Sequence, residues 1–230
     1  ACDGLELEIL SGAEEARLSA MGVISGFYKP DGIAGDLGGG SLEVVDVAGA
    51  RIGDGETLPL GGIRLEEAAE RSLKKAEKIA TDALAASSVL TKGKGRAFYA
   101  IGGTWRSLAR LHMRQKGYPL HVMHHYTMDP AEADDFCRMI VRRDIDSVDS
   151  IEVVSRNRRA LLPYGAVVLG SVIKAMQPSS IVMSALGLRE GLLYDLLDPK
   201  EKARDPLIVA CDELAYLRSR SPRHVRELGP

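Results

Sequence analysis

Apolar and acidic residues alternate through LELEIL at 5–10, and this period of two predicts a half-buried strand. The period then lengthens. Ser11-Gly12-Ala13-Glu14 predicts a helix start in which the serine caps the Glu14 amide and the Glu14 carboxylate reaches back to the serine's own N–H. Ala13, Ala16 and Ala20 follow at i, i+3 and i+7, so one side of this helix is smooth enough to approach another backbone closely. From Asp31 to Leu60 the pattern GIAGDL, SLEVVDVA, ETLPL predicts a β-meander, with RIGDG as its second turn. In residues 64–90, Leu65, Ala68, Ala69, Leu73, Ala76, Ile79, Ala80 and Leu84 mark one face, which predicts a single long amphipathic helix. RAFYAI at 96–101 reads as a buried strand ending in Gly102-Gly103-Thr104 and entering the helix WRSLARLH. Asp129-Pro130 marks an N-cap with proline in the first turn of another helix. A further helix is expected at 163–176, then a strand at SSIVMSA leading into the helix GLREGLLYDLL. After Asp198-Pro199 the chain becomes charged, and DPLIVACDELAYLRS predicts one more helix. The order is three strands, helix, strand, helix, a helical insertion, strand, helix.

Composition narrows the function. With 45% hydrophobic content, 230 residues can bury a sizeable core, which excludes disorder. Thirty Lys and Arg against 32 Asp and Glu leave a formal charge of −2, so any polyanion must be held by a local site and not by a global basic field. No apolar run approaches the ~18 residues of a spanning helix, and the first residues lack a signal-peptide pattern, so a soluble, cytoplasmic protein with no membrane partner is expected. The sparse aromatics around Trp105 offer no stacking ladder for single strands, and no nucleic-acid partner is expected. Cys2, Cys137 and Cys211 are odd in number and widely spaced, which suits inert thiols in a reducing compartment. Glycine is over-represented at 24 residues against a usual share of about 7%.

Those glycines cluster where chemistry is expected. In Asp36-Leu37-Gly38-Gly39-Gly40-Ser41-Leu42-Glu43 an acid closes one strand and three residues without Cβ make the turn. Ser41 and Glu43 then open the next strand and share a side, and the bare amides of the turn could wrap phosphate oxygens. An ordinary hairpin would need only one or two glycines.

Five motifs in order resemble the exopolyphosphatase/guanosine pentaphosphate phosphohydrolase (Ppx/GppA) family: Ser11-Gly12 with Glu14-Glu15-Ala16 and Gly22-Val23; Asp36 to Glu43; Gly102-Gly103-Thr104; Arg159 to Ala166; and Gly187-Leu188-Arg189-Glu190-Gly191. The family belongs to the actin/hexokinase/Hsp70 superfamily. The resemblance implies an α/β fold, a ribonuclease-H-like (actin-like ATPase) lobe with a mixed sheet and flanking helices, and phosphates bound between two such lobes. It implies that Glu15 is the catalytic carboxylate that activates water, that Asp36 and Glu43 serve an Mg²⁺ site, and that Gly38, Gly39, Gly40 and Ser41 form a phosphate-binding loop. Gly102, Gly103 and Thr104 match a loop that contacts nucleotide or polyphosphate. The family's first phosphate loop has no match here. Residues 1–30 therefore resemble the C-terminal end of a first lobe, 31–197 a second lobe and 198–230 the start of a further helical domain. An excised part of a larger enzyme is expected, inactive by itself and belonging to a homodimeric parent.

Other features have plainer readings. His121, His124 and His125 lack ligand-spaced partners and are expected to pack in a strand or loop. Arg138, Arg142, Arg143, Arg156, Arg158 and Arg159 could line a polyphosphate channel or simply form solvated helix faces, and Arg218, Arg220, Arg223, His224 and Arg226 suit an interdomain surface. Two functions compete: hydrolysis of terminal phosphoanhydride bonds of inorganic polyphosphate or guanosine pentaphosphate, and a non-catalytic module that binds polyphosphate or alarmone. A sugar kinase of the same superfamily is disfavoured because no sugar site is apparent.

Overall fold

The computed structural model describes residues 9–218. The strand expected at 5–10 lies outside these residues except for Ile9 and Leu10, which have no regular structure, and the basic tail beyond Arg218 also lies outside. Helix α1 (Gly12–Gly26) precedes strands β1 (Asp31–Leu37), β2 (Leu42–Ala48) and β3 (Arg51–Leu58). Helices α2 (Gly62–Ala68), α3 (Leu73–Ala85) and α4 (Ser88–Lys92) lead to β4 (Ala97–Ile101) and α5 (Gly103–Gln115). An insertion follows, comprising β5 (Thr127–Met128), α6 (Pro130–Arg142) and α7 (Arg156–Arg159), and then α8 (Leu162–Met176), β6 (Ser180–Met183) and α9 (Leu188–Asp195). Helices α10 (Pro199–Lys202) and α11 (Pro206–Arg218) close the described chain.

The sheet runs β3-β2-β1-β4-β6-β5. Its first three strands form an antiparallel meander, β1, β4 and β6 are parallel, and β5 returns antiparallel on β6. Alternation along the strands divides the side chains between two faces. Ile33, Leu37, Leu42, Val44 and Phe98 belong to the larger core, covered by α3, α4, α5 and α8. Helix α8 lies deepest and is apolar nearly all round, with twelve of its residues buried from Leu162 to Met176. Ala34, Val45, Val47, Tyr99 and Ile101 point the other way and meet Ala16, Ala20 and Val23 of α1. That contact is the use of the alanine side read from the sequence. Helix α9 then packs across α1.

Three local expectations need correction. Residues 64–90 form three helices because Glu70 and Arg71 take positive φ, 51° and 62°, and Ser72 and Ser87 each cap a fresh helix with their hydroxyls. The third strand starts at Arg51, so RIGDG pairs with β2 across a register irregularity at Val45/Val47 and is not a turn. Only half of the capping box at α1 forms: Ser11 Oγ accepts from the Glu14 amide at 3.2 Å, but the Glu14 carboxylate accepts from Arg17 at 2.7 and 3.0 Å.

Candidate functional site

Asp36 and Glu43 are direct partners in the antiparallel register of β1 and β2, so both carboxylates project from the face that α1 covers. On α1, Glu15 and Ser19 are four residues apart and share a side. Ser19 Oγ donates to Asp36 Oδ2 at 2.6 Å. Burial pushes the Asp36 carboxyl above its ordinary range; the Ser19 hydroxyl and the Arg106 guanidinium pull it down, and the Glu15 carboxylate pushes it up. Glu43 is only 5% exposed and is also raised, first by burial, with the Ser41 hydroxyl opposing and the charges of Glu15 and Asp36 adding. Asp36 and Glu43 are therefore neighbours across the hairpin, and Glu15 stands on the helix that covers the same face. Glu43 Oε1 is buried and has no hydrogen-bond partner.

The turn between β1 and β2 is built around its backbone. Gly38 N–H donates to the Ser41 carbonyl at 3.0 Å and closes the hairpin. The Gly38 and Gly39 carbonyls accept from the amides of Gly62, Ile63 and Arg64 at 3.0–3.1 Å, which fastens the turn to the start of α2. Among the described residues, the amides of Gly39 and Gly40 donate to no carbonyl. Successive free amides of this kind make a concavity suited to an anion.

The second glycine loop sits beside the first. Gly102 has φ +111°, and a Cβ there would lie 2.4 Å from the Leu37 carbonyl oxygen, so only glycine allows β1 and the start of α5 to meet this closely. No side chain caps α5 at Gly102, which leaves the amide-rich end of a thirteen-residue helix open to a negative group. At α9, by contrast, Glu190 Oε2 accepts from the Gly187 amide at 2.9 Å, so that helix start already holds a carboxylate. A cavity of about 340 Å³ lies between these loops, lined by Asp36, Gly38, Gly102, Arg106, Gly187 and Arg189 among others.

Arg106 and Ser19 were not singled out from the sequence. Arg106 donates to the carbonyls of Gly102 and Ala185 at 3.3 and 3.2 Å. Its place four residues after Gly102 and one turn into α5 was the available signal. Ser19 could have been found as the i+4 neighbour of Glu15. Of the basic residues considered for a channel, Arg158 reaches this region and donates to the Gly103 carbonyl at 3.3 Å. Arg159 is taken up by Val154 and Asp146, and Arg138 pairs with Asp134 and Asp135 on a helix face. His124 and His125 both donate to the Gly26 carbonyl, at 3.0 and 3.2 Å, against the ring of Phe27.

Among the described residues, no group of three or more His, Cys, Asp or Glu is arranged as a metal cage. A hard cation that keeps its waters and takes one or two carboxylates together with substrate phosphates needs no such cage. Asp36 and the orphaned oxygen of Glu43 supply the oxygen chemistry for it. No helix among the described residues is long and apolar enough to cross a membrane.

Known proteins share this architecture. The structure of the Aquifex aeolicus Ppx/GppA family member superposes with a TM-score of 0.68 at 22% identity, covering 84% of this chain and 64% of that one. An exopolyphosphatase from Cytophaga hutchinsonii gives 0.71 at 20% identity, with 84% and 65% covered. Retrograde regulation protein 2 of Saccharomyces cerevisiae is 27% identical over 241 residues, which cover 93% of this chain and 40% of that protein. The chain thus spans less than two thirds of these relatives. The model of the Ppx/GppA phosphatase family matches residues 2–200, and the chain belongs to that family.

Proposed function

We propose that this chain carries one wall of a site that hydrolyses terminal phosphoanhydride bonds, releasing inorganic phosphate from polyphosphate or converting guanosine pentaphosphate to the tetraphosphate. The observation that carries the reading is the Asp36/Glu43 pair, tied to α1 by the Ser19 hydroxyl one turn after Glu15, beside a turn whose Gly39 and Gly40 amides have no carbonyl partner. Glu15 is the one acid of the three that is neither hydrogen-bonded by Ser19 nor sunk between strands, and it serves as the base. It takes a proton from a water whose oxygen attacks the terminal phosphorus. The bridging P–O bond breaks and its electron pair leaves with the shortened chain. The amides of the glycine turn and the open start of α5 hold non-bridging oxygens where charge gathers, and Arg106 and Arg158 add cationic charge at the second loop. Mg²⁺ bound through Asp36 and Glu43 would supply neutralisation of phosphate charge. In this reading residues 1–30 end a first lobe, 31–197 make a second and 198–230 begin a helical domain.

The same geometry supports a second reading, a module that binds polyphosphate or alarmone without turnover, and the yeast relative is named for regulation. The two readings part at Glu15. With the full-length protein, Mg²⁺ and long-chain polyphosphate, Glu15→Gln is expected to lower kcat by about 10²–10⁴ with little change in KM, whereas Glu14→Gln is not. Equal losses from both would remove Glu15 from its role. Tight binding with no phosphate release by the wild type would select the regulatory reading. The 230-residue chain alone is expected to be inactive, because the family's first phosphate loop, whose donors the reaction would need, has no match in its sequence.

A further inference from the structure

A groove of about 500 Å³, within the range of small-molecule sites, lies away from the carboxylates. It lies between the C-terminal half of α5 and the segments after it, lined by Arg110 and Arg114 on one side and Glu152 on another, with Met113, Tyr118 and Met123 among its apolar residues. Its floor is braced: Tyr118 packs edge-on against Tyr126 at 4.8 Å, and the Tyr126 hydroxyl lies 2.6 Å from His112 Nδ1 in the interior. Gly117, at φ +60°, follows the end of α5, and the Tyr118 amide donates back to the Met113 carbonyl at 2.9 Å. Arg110 and Arg114 stand four apart on one helix face, and neither has an ion-pair partner among the described residues, whereas Arg17, Arg96, Arg138 and Arg204 all do. Nothing in the reaction scheme above uses this groove.

From these features we infer that the groove is a second ligand site, one that takes a mononucleotide. Two guanidinium groups four residues apart on one helix, both lining the groove, supply the charge that a phosphate monoester seeks. Two thioethers and a tyrosine ring favour a planar aromatic body over an acyl chain, because sulfur–aromatic and ring–ring contacts reward flat rings. Glu152, a carboxylate unpaired among the described residues, is an acceptor for the vicinal hydroxyls of a ribose. The three chemistries are present together in one groove, and an inorganic phosphate chain would use only the first. Helix α5 connects the two regions: its start lines the cavity between the glycine loops at Arg106, and its later turns line the groove at Arg110 and Arg114.

The test is calorimetric titration of the 230-residue chain, without Mg²⁺, with adenosine 5′-monophosphate as the probe. Saturable binding is expected, at least tenfold weaker in the Arg110→Gln/Arg114→Gln double variant and unchanged in Arg106→Gln. Ribose 5-phosphate, which lacks the ring, should bind at least tenfold more weakly than the nucleotide. On the wild type, 2′,3′-dideoxyadenosine monophosphate should bind more weakly than the ribonucleotide, and on Glu152→Gln the two should bind alike. Both arginines and Glu152 are exposed, so these variants keep the core, and thermal melts verify it. A dissociation constant weaker than about 1 mM on the wild type overturns the assignment. So does loss of binding in Arg106→Gln but not in the double variant, which places the nucleotide in the cavity between the glycine loops. Equal affinity for ribose 5-phosphate refutes recognition of the ring.

Discussion

At the crossing of α1 and α9, a methyl group on Gly191 would lie 1.8 Å from the Leu18 carbonyl oxygen, and one on Gly22 would lie 2.3 Å from that of Gly187. At the turn between β1 and β2, a methyl on Gly40 would meet nothing within 4 Å, and one on Gly39 would touch only Ile63, at 3.3 Å. None of Gly38, Gly39 and Gly40 takes a positive φ. The folded chain therefore needs glycine at the crossing and does not need it at the turn. A bare backbone that packing does not require supports the proposed anion cradle at this turn. The contrast separates glycines that hold the site together from glycines that leave room in it.

The contrast is most exposed at Gly191→Ala. Backbone carbonyls cannot move aside as a flexible side chain can, so α9 has to shift, and a loss of about 3 kcal/mol is expected in denaturant unfolding. A loss below about 1 kcal/mol would mean that the helices slide apart easily, and the crossing would cease to be a rigid reference for Glu15. Gly40→Ala should do the reverse. Stability is expected to stay level or rise by about 0.4–1 kcal/mol, because alanine restricts the unfolded chain, while phosphate-chain affinity in the full-length protein falls about tenfold. Unfolding without loss of affinity would turn the turn back into an ordinary hairpin.

Asp36→Asn sharpens the comparison from the side of charge. Burial raises the Asp36 carboxyl, so the folded state holds this proton more tightly than the unfolded one. The contribution to stability is most favourable below the unfolded value of about 3.9 and declines as pH rises through the folded value. Removing the charge should raise the melting temperature by a few degrees at neutral pH, with the gain vanishing towards about pH 4. Added Mg²⁺ should stabilise the wild type more than the variant. A melting temperature that falls at neutral pH would show Asp36 to be a turn-forming acid. The smallest effect is expected for Arg17→Gln, which opens the clip from Arg17 to Glu14 and Asp195 at 2.7 and 2.8 Å. Arg17 depresses both carboxyls, so its help is present above their unfolded values and is lost as pH falls through the lower folded ones. The deficit of the variant should also shrink in about 1 M salt, since these groups are solvent-accessible.

Much of this was legible in the sequence. The order of strands and helices, the Asp129 cap and the Asp36–Glu43 segment all rest on local pattern and turn chemistry, which a linear reading captures. The break at Glu70 and Arg71 was not legible, because the apolar spacing runs on through it while the backbone reverses. Ser19 and Arg106 were missed for another reason: each bonds a group distant in the chain, Ser19 the Asp36 carboxylate 17 residues on and Arg106 the Ala185 carbonyl 79 residues on. The partner of Glu14 was misjudged because the capping box predicts a bond within the chain's own first turn. Arg17 and, through it, Asp195 offered a charged alternative that only the folded arrangement supplies.

The clip from Arg17 to Asp195 joins residues 178 apart in the chain. At ~5–20 residues per second, synthesis places α1 outside the ribosome roughly 9–36 s before its partner helix exists. During that interval the meander, a set of short-range pairings, can form and shelter Ala16, Ala20 and Val23, but the outer side of α1 remains bare. The glycine turn is thus an early structure, and the setting of α1 by the glycine crossing is a late one. On the proposed function, a nascent chain would grip an anion well before it could direct a water at it.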